Sequence, residues 1–225
     1  MTTSAAPSLP VPYRLETERL ILRCYAPSDA PALVDAMSAG VAHLVPWLPW
    51  ASFEPLPLDD KIALLRTFRA KFDLDQDYVF GAFERSGERA GGRLVGGTGI
   101  HLRIGPAAGE IGYWLRAGEE RKGLATEMAA AITYAGFAIR GFARMAIHCD
   151  VRNERSAAVP RRLGYRQEGV LRAGADHGRD PRGDLAVFGM TQSEFAASPS
   201  ARVSVQAFDA ADRAITVRPR TGGEG

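Results

Sequence analysis

The chain has 225 residues, of which 46% are hydrophobic, and it carries 28 basic against 26 acidic side chains. A chain of this length and composition can bury a core without metals or disulfides, so we expect one main globular unit. The formal net charge of +2 is too balanced to provide the basic field that binding to nucleic-acid phosphates needs. These properties argue against nucleic acid as a partner.

The cysteines and the apolar segments predict a reducing environment and no membrane partner. Cys24 and Cys149 are far apart, form no C-x-x-C pair and have apolar neighbours, which indicates two reduced, packed thiols. Residues 1–12 have neither a basic start nor an apolar run, so they are interpreted as a flexible lead-in rather than a secretory signal. No apolar stretch approaches the roughly 20 residues that cross a bilayer. We therefore expect a cytoplasmic protein.

Runs of β-branched and aromatic residues alternate along the chain with segments of helical spacing. The predicted strands are 20–25, 78–83, 94–102, 111–115, 144–151, 165–171 and 184–191. The predicted helices are 29–39, one beginning near Asp59, 123–139 and a short one beginning near Ser156. This order indicates an α+β fold with a mixed sheet. After Phe195, residues 203–207 and 214–217 form a possible hairpin, and residues 220–225 are expected to be disordered.

Residues 113–126 run from a strand through a loop into a helix whose first turn holds Gly123 and Ala125. Backbone N–H groups at such a helix start lack partners and point the same way, and together with the helix dipole they attract anions. Small side chains let a pyrophosphate approach the backbone closely. An ordinary helix start is the alternative, and the chain has no phosphate loop of the G-x-x-x-x-G-K-[ST] type.

A second polar segment follows the predicted strand 144–151. Asn153 can satisfy main-chain groups where neighbouring strands part, and Ser156 can cap the next helix while offering a hydroxyl. Pro160 is expected in the first turns of that helix, where its missing N–H predicts a distorted start. Taken singly, Asn153 and Ser156 would be ordinary helix caps.

Several spaced motifs occur in an order that points to one family. They are Glu110-Ile-Gly-Tyr-Trp-Leu115, the x-x-Gly-x-Ala of 121–125, the Asn-x-x-Ser of 153–156 and the Leu-Gly-Tyr of 163–165, together with Leu15–Arg23 and Trp47–Trp50. The set resembles the GNAT acyltransferase superfamily, and within it the ribosomal-protein alanine/serine N-acetyltransferase branch of RimJ/RimL type. The resemblance spans residues 13–195 and leaves 196–225 as a C-terminal extension. It implies a central mixed, mostly antiparallel sheet with splayed middle strands flanked by helices, and acetyl-CoA as the cofactor.

In GNAT proteins the matching loop and helix start hold the coenzyme A pyrophosphate through backbone amides, which implies the same role for six residues here. They are Arg121, Lys122, Gly123, Leu124, Ala125 and Thr126. The matching strand, here Trp114, Leu115 and Arg116, pairs with the pantetheine arm as it would with a neighbouring strand. By the same resemblance, Asn153 contacts the arm and Ser156 lies close to the thioester sulfur.

Two residues depart from the family pattern. Glu120 stands where the loop usually begins with Gln or Arg, and it brings a carboxylate near an expected polyanion, which Arg121 and Lys122 offset. Pro160 stands where many relatives carry a Tyr that acts as general acid, so Ser156 is the nearest candidate for that role. Both departures keep an alternative open, an acyl-CoA-binding regulatory module without turnover.

Acetyl transfer to an amine needs a neutral nucleophile, a positioned thioester and a donor for the oxyanion that develops on the carbonyl. A main-chain N–H around Leu115 is expected to be that donor. A carboxylate can take the amine proton, directly or through water. Glu110, at the start of the strand that leads to the thioester, is the first choice, and Glu84, at the end of an earlier strand, is the second. His101 can assist near neutral pH, and each of the three has a purely structural alternative.

The acceptor pocket is expected to include Trp47 and Trp50, because aromatic rings supply contact area at low entropy cost. Asp184 matches an acidic residue before the last strand of the resembling branch, and Tyr113 lies beside the strand that binds the donor. We therefore predict an acetyl-CoA-dependent N-acetyltransferase that acts on a primary amine of a protein N-terminus or of a small molecule. Whether it is a monomer or a homodimer stays open.

Overall fold

The computed structural model describes residues 10–86, 91–175 and 183–216. Most of the predicted lead-in, residues 1–9, lies outside these ranges, as do residue 217 of the possible hairpin and the predicted tail at 220–225. The strands are β1 (Arg14–Glu16), β2 (Leu20–Cys24), β3 (Tyr78–Glu84), β4 (Leu94–His101), β5 (Ala108–Leu115), β6 (Arg144–Asp150), β7 (Arg166–Ala175), β8 (Gly183–Thr191) and β9 (Gln206–Phe208). The α-helices are α1 (Ala30–Ser38), α2 (Leu58–Asp73), α3 (Leu124–Tyr134), α4 (Glu154–Leu163) and α5 (Gln192–Phe195). None of the described helices is long and apolar enough to cross a membrane.

The nine strands of the described residues form one sheet in the order β7-β8-β6-β5-β4-β3-β2-β1-β9. Every neighbouring pair is antiparallel except β5 and β6, which are parallel. The parallel register runs only from Ala108 opposite Arg144 to Ile111 opposite Ile147. Beyond that point both strands continue without pairing to each other. The expected α+β fold, with a mixed, mostly antiparallel sheet and splayed middle strands, is confirmed.

Helices cover both faces of the sheet, because each long helix has one apolar side to bury. On one face, α3 packs over the middle strands in a buried cluster that contains Met128, Ile132, Ile111 and Ile147. On the other face, α1 and α2 form a second cluster that contains Leu33, Met37, Leu65 and Phe83. The core is therefore divided by the sheet, and the parted ends of β5 and β6 lie between the two layers.

Strand pairing begins closer to the N-terminus than the sequence indicated, and it includes part of the C-terminal extension. β1 was not predicted as a strand, because three residues are too few to show an alternating pattern. It pairs with β2 on one side and β9 on the other. Within the possible hairpin after Phe195, residues 206–208 form β9, and Phe208 makes an isolated bridge with Ala214. Part of the predicted C-terminal extension thus belongs to the same sheet.

A buried ion pair anchors the tryptophan-containing loop that follows α1. Lys61 on α2 is 2% exposed, and its ammonium contacts the carboxylate of Glu54, which is also buried. The second oxygen of Glu54 accepts the N–H of Leu56 at 2.9 Å. Glu54 directly follows the short 3-10 helix at 49–53, which carries Trp50. The pair therefore holds this loop on α2.

We expect Glu54→Ala to lower the free energy of unfolding by about 3–5 kcal/mol, because the ammonium of Lys61 would be left buried without its counter-ion. The double variant Glu54→Leu with Lys61→Met removes both charges at similar volume, so it should recover most of that loss. Urea unfolding of the two variants and the wild type checks this expectation. A double variant as unstable as Glu54→Ala would contradict it.

Candidate active site

A cavity of about 730 Å³ lies where β5 and β6 part. It is lined by both strands, the loop after β5, the start of α3, α4 and the loop after α1. Twelve of the predicted site residues line it: Trp47, Glu110, Tyr113, Trp114, Leu115, Arg121, Gly123, Leu124, Ala125, Thr126, Asn153 and Ser156. Residues from distant parts of the chain are thus brought to one place.

The loop between β5 and α3 turns sharply just before the helix. Arg121 and Gly123 have positive φ angles of 63° and 81°, and Gly123 immediately precedes Leu124, the first helical residue. The first N–H groups of α3 have no intrahelical partners, and the positive end of the helix dipole lies at this point. Leu124 and Ala125 also line the cavity. The helix start can therefore hold an anion such as a pyrophosphate.

The carboxylate of Glu120 is engaged by donors close to this loop. Its Oε2 accepts the N–H of Gly118 at 2.9 Å, and its Oε1 lies 3.3 Å from Nε2 of His43. Four arginines bring positive charge to the same cavity: Arg121, Arg155 and Arg162, and Arg103 beside Glu110. The negative charge that departs from the family pattern is therefore offset locally.

The main chain of β5 offers hydrogen-bonding groups to the gap between the parted strands. The N–H of Arg116 bonds to the carbonyl of Val95 on β4 at 2.9 Å. Because main-chain groups alternate in direction along a strand, those of Tyr113 and Leu115 face the gap. Nε2 of His43 lies 3.0 Å from the carbonyl oxygen of Leu115. An extended chain of amides in the gap can pair with β5 as a neighbouring strand would.

The start of α4 differs from the sequence-based expectation. The helix begins at Glu154, and its cap is Asn153, whose Oδ1 accepts the N–H of Ser156 at 3.0 Å. The predicted cap at Ser156 is therefore wrong. The Ser156 hydroxyl instead lies 3.1 Å from the hydroxyl oxygen of Tyr113, in a hydrogen bond that either group can donate.

Pro160 also lies elsewhere than expected, in the second half of α4. The helix start is regular, since the N–H of Ala157 bonds to the carbonyl of Asn153 at 2.9 Å, so the predicted distortion is wrong. The missing N–H of Pro160 leaves the Ser156 carbonyl without its helical partner, and the Tyr113 hydroxyl donates to that carbonyl at 3.0 Å. Burial raises the pKa of Tyr113 well above its usual range, so its hydroxyl stays protonated.

Glu110 lies at the other end of the cavity and is held by an arginine. Nε and Nη2 of Arg103 donate to its two oxygens at 2.7 and 2.5 Å. Burial, the largest single influence, opposes ionisation of Glu110, but the hydrogen bonds from Arg103 and the charges of His148, Arg103 and His101 together lower the pKa of the carboxyl. Nδ1 of His148 lies 3.5 Å from Oε1 of Glu110, and burial lowers the pKa of this histidine. A carboxylate, a guanidinium and a neutral imidazole therefore meet here.

Comparison with known proteins now identifies the family. Residues 19–166, more than half of the chain, match a family described as an acetyltransferase (GNAT) domain. The chain belongs to the GNAT acetyltransferase family. This membership makes the protein an N-acetyltransferase with acetyl-CoA as its donor. The resemblance noted in the sequence is confirmed.

Individual relatives agree with this membership. The GNAT chain is 28% identical over 159 residues to the uncharacterized N-acetyltransferase YoaA of Bacillus subtilis (strain 168), over 70% of this chain and 85% of that protein. It shares its fold with the ribosomal L7/L12 alpha-N-protein acetyltransferase RimL in complex with coenzyme A, at a TM-score of 0.69 and 21% identity, over 82% of this chain and 98% of that one. It also resembles the microcin C7 self immunity acetyltransferase MccE in complex with acetyl-CoA and AMP, at a TM-score of 0.68 and 18% identity, over 78% and 93% of the two chains.

Six predicted site residues of this GNAT protein do not line the cavity: Glu84, Trp50, His101, Arg116, Lys122 and Asp184. Glu84, the second choice for the base, pairs with Arg93 at 2.8 Å. Asp184 accepts the N–H of Ala173 on the neighbouring β7 at 3.0 Å. Both carboxylates thus have partners outside the cavity lining.

The remaining four lie close to the cavity but turn their side chains to other partners. The side chain of Arg116 pairs with Asp35 at 2.6 Å, and that of Lys122 pairs with Glu119 at 2.9 Å. Nδ1 of His101 lies 2.8 Å from the carboxylate of Asp77. The ring of Trp50 packs edge-on against the ring of Trp114, at 6.1 Å between centroids, so it supports a cavity wall from behind.

Sequence reasoning missed several polar residues of the cavity, among them His43, Arg103 and His148. His43 and Arg103 stand in a loop and a short 3-10 helix, where no periodic pattern indicates direction. The alternation of β6 could have revealed His148, because the apolar residues Met145 and Ile147 occupy one side of the strand and His148 lies on the other.

We expect Gly123→Ala to weaken coenzyme A binding about tenfold, an energy of about 1.4 kcal/mol. A Cβ at φ 81° is strained, and relaxing that strain would turn the first N–H groups of α3 away from the anion. Gly141→Ala is the matched control, since Gly141 has a φ of 78°, nothing within 4 Å of an added Cβ and no place in the cavity. Calorimetric Kd values for coenzyme A check the difference, and equal affinities in both variants would contradict it.

Proposed function

We propose that this GNAT protein moves the acetyl group of acetyl-CoA to a primary amine, of a protein N-terminus or of a small molecule, by direct attack of the amine on the thioester. One observation carries the proposal: the positive start of α3, the unpaired main chain of β5 and the Ser156 hydroxyl line the same cavity. These features suit the pyrophosphate, the amide arm and the thioester of the donor in turn.

Each part of coenzyme A has a proposed partner. The pyrophosphate bonds to N–H groups of the segment 121–126, where the helix dipole favours negative charge. The pantetheine arm lies along the segment 114–116 and pairs with main-chain groups of β5 that face the gap. Asn153, which caps α4 beside the gap, contacts the arm. The thioester then lies near Ser156, between the parted strands.

The reaction forms one bond and breaks another. The amine nitrogen attacks the carbonyl carbon of the thioester, and the main-chain N–H of Leu115 stabilises the oxyanion that develops. The bond from carbon to sulfur then breaks, and the thiolate takes a proton from the Ser156 hydroxyl, which solvent reprotonates. The amine loses its proton, directly or through water, toward the end of the cavity where Glu110 lies. The products are the acetylated amine and coenzyme A.

An aromatic wall supports an acceptor with an apolar part beside its amine. Trp47 and Trp114 line the cavity, and Trp50 packs behind Trp114. Flat rigid rings bind side chains at low entropy cost. The resemblance to the RimJ/RimL branch, and the structural likeness to RimL, favour a protein N-terminus that begins with Ala or Ser. The likeness to MccE keeps a small molecule as the second candidate.

Release of free thiol from acetyl-CoA tests the proposal with two acceptor sets, peptides that begin with Ala or Ser and a panel of small primary amines. We expect release with at least one acceptor, and faster release with the peptides. Peptides whose N-terminus is already acetylated are the control and should give no release. Measurable coenzyme A binding without release for any acceptor would favour the regulatory module without turnover.

We expect Ser156→Ala to lower kcat by about 10²-fold, since a positioned general acid typically contributes at least that much. Its Kd for coenzyme A should change little, because Asn153 can still cap α4. Ser193→Ala, which removes an exposed hydroxyl on α5, is the matched control and should keep the wild-type kcat. Thiol release at saturating acceptor checks kcat, and an unchanged kcat in Ser156→Ala would exclude this role for its hydroxyl.

A further inference from the structure

The cavity contains a histidine on the same face of the sheet as Glu110. Glu110 and Ala146 lie opposite each other in the parallel register of β5 and β6, so their side chains share one face. His148, two residues after Ala146, points to that face as well. It follows directly after the last pair, Ile111 opposite Ile147, and therefore stands where the strands begin to part. Its side chain is 17% exposed and lines the cavity.

Glu110 itself is poorly placed to accept a proton. Both of its oxygens receive hydrogen bonds from Arg103, at 2.7 and 2.5 Å. Protonation would break at least one of these charge-assisted bonds, which are about twice as strong as neutral ones. The lowered pKa of Glu110 describes the same preference for the ionised form. This carboxylate is a permanent negative charge beside His148 rather than a strong base.

We infer that His148 is the catalytic residue that takes the proton of the acceptor amine, and that Glu110, fixed by Arg103, is the residue that positions its ring. The inference rests on the acetyl transfer proposed above. Nδ1 of His148 faces Oε1 of Glu110 at 3.5 Å, and the carboxylate favours a ring hydrogen on this nitrogen, which leaves the lone pair on Nε2. The amine proton moves to Nε2 as the bond from nitrogen to carbon forms. Glu110 balances the charge of the imidazolium until it returns the proton to solvent.

The electrostatic surroundings suit this role. Burial lowers the pKa of His148, so the ring is neutral and able to accept a proton at neutral pH. Glu110 on β5 and Glu168 on β7 act in the opposite direction and raise its pKa, while Arg103 after β4 and Arg144 on β6 lower it further. Glu110 has the largest effect of these four groups. Removing its charge must therefore lower the pKa of His148.

NMR titration of the imidazole signals tests this coupling without turnover. Signals of His148 are assigned by their loss in His148→Gln. We expect Glu110→Gln to lower the His148 pKa clearly, and Glu168→Gln, the matched removal of a carboxylate with less influence, to lower it less. A His148 pKa that is unchanged in Glu110→Gln would overturn the assignment of Glu110 as its positioning residue.

The pH dependence of kcat/KM, measured with acetyl-CoA and the acceptor that reacts fastest in the thiol assay, tests the catalytic role. The rate should fall as the pH drops through the His148 pKa, because only the neutral ring accepts a proton. His148→Gln should lower kcat by about 10²–10⁴-fold, and the fall in kcat/KM at low pH should disappear from its pH profile. Glu110→Gln should keep a measurable rate, and its kcat/KM should fall at a lower pH than that of the wild type. A near wild-type rate in His148→Gln, with loss of activity in Glu110→Gln, would make Glu110 the base and overturn the inference.

Failure of this inference is distinguishable from failure of the proposed function. A wild-type protein that binds coenzyme A but releases no thiol with any acceptor would remove both. If the wild type and His148→Gln release thiol at the same rate, only the role of His148 is excluded and the proposed function stands. A wild-type calorimetric Kd for coenzyme A shows that a variant is folded, and a variant that fails this check is replaced by His148→Asn.

Discussion

The hydrogen bonds between β5 and β6 stop after Ile111 and Ile147, and the candidate active site depends on this break. Each strand stays fixed along its outer edge, β5 by β4 and β6 by β8, so the gap is held open by regular pairing on both sides. Main-chain groups that face such a gap need partners. An extended ligand with amides can supply them, which is how the acetyl-CoA arm is proposed to bind. The break also opens the sheet between its two helical layers.

The polar groups around the gap are arranged through partners that compensate for local irregularities. Pro160 leaves a carbonyl unpaired inside α4, and the Tyr113 hydroxyl takes the vacant place, which brings it to Ser156. Glu120 brings a negative charge to the proposed anion site, and Gly118 and His43 contact its carboxylate. Glu120 and Pro160, which depart from the family's motifs, are thus consistent with the site once their contacts are known.

The parts of the site that could be predicted are those whose geometry is local. A glycine before a helix start allows a positive φ and leaves N–H groups exposed, so the sequence singled out Gly123 and the residues after it, and these residues line the cavity. Glu84 and His101 were chosen by residue type and position near strand ends, and their partners Arg93 and Asp77 come from other segments. Such pairings depend on strand register, which no local pattern encodes.

The sequence alone determined the α+β fold, the order of its main strands and helices, and the segments that form the start of α3 and α4. It could do so because periodicity, turn residues and spaced motifs are properties of neighbouring residues. Only the tertiary structure decided that Arg103 neutralises Glu110 and that His148 lies beside it. Arg103 and Glu110 lie seven residues apart, but His148 comes from β6, which is distant from both in the chain. The effect of these contacts on the pKa values of Glu110 and His148 depends on burial and on the distances between charges. Both are set only when the sheet has formed.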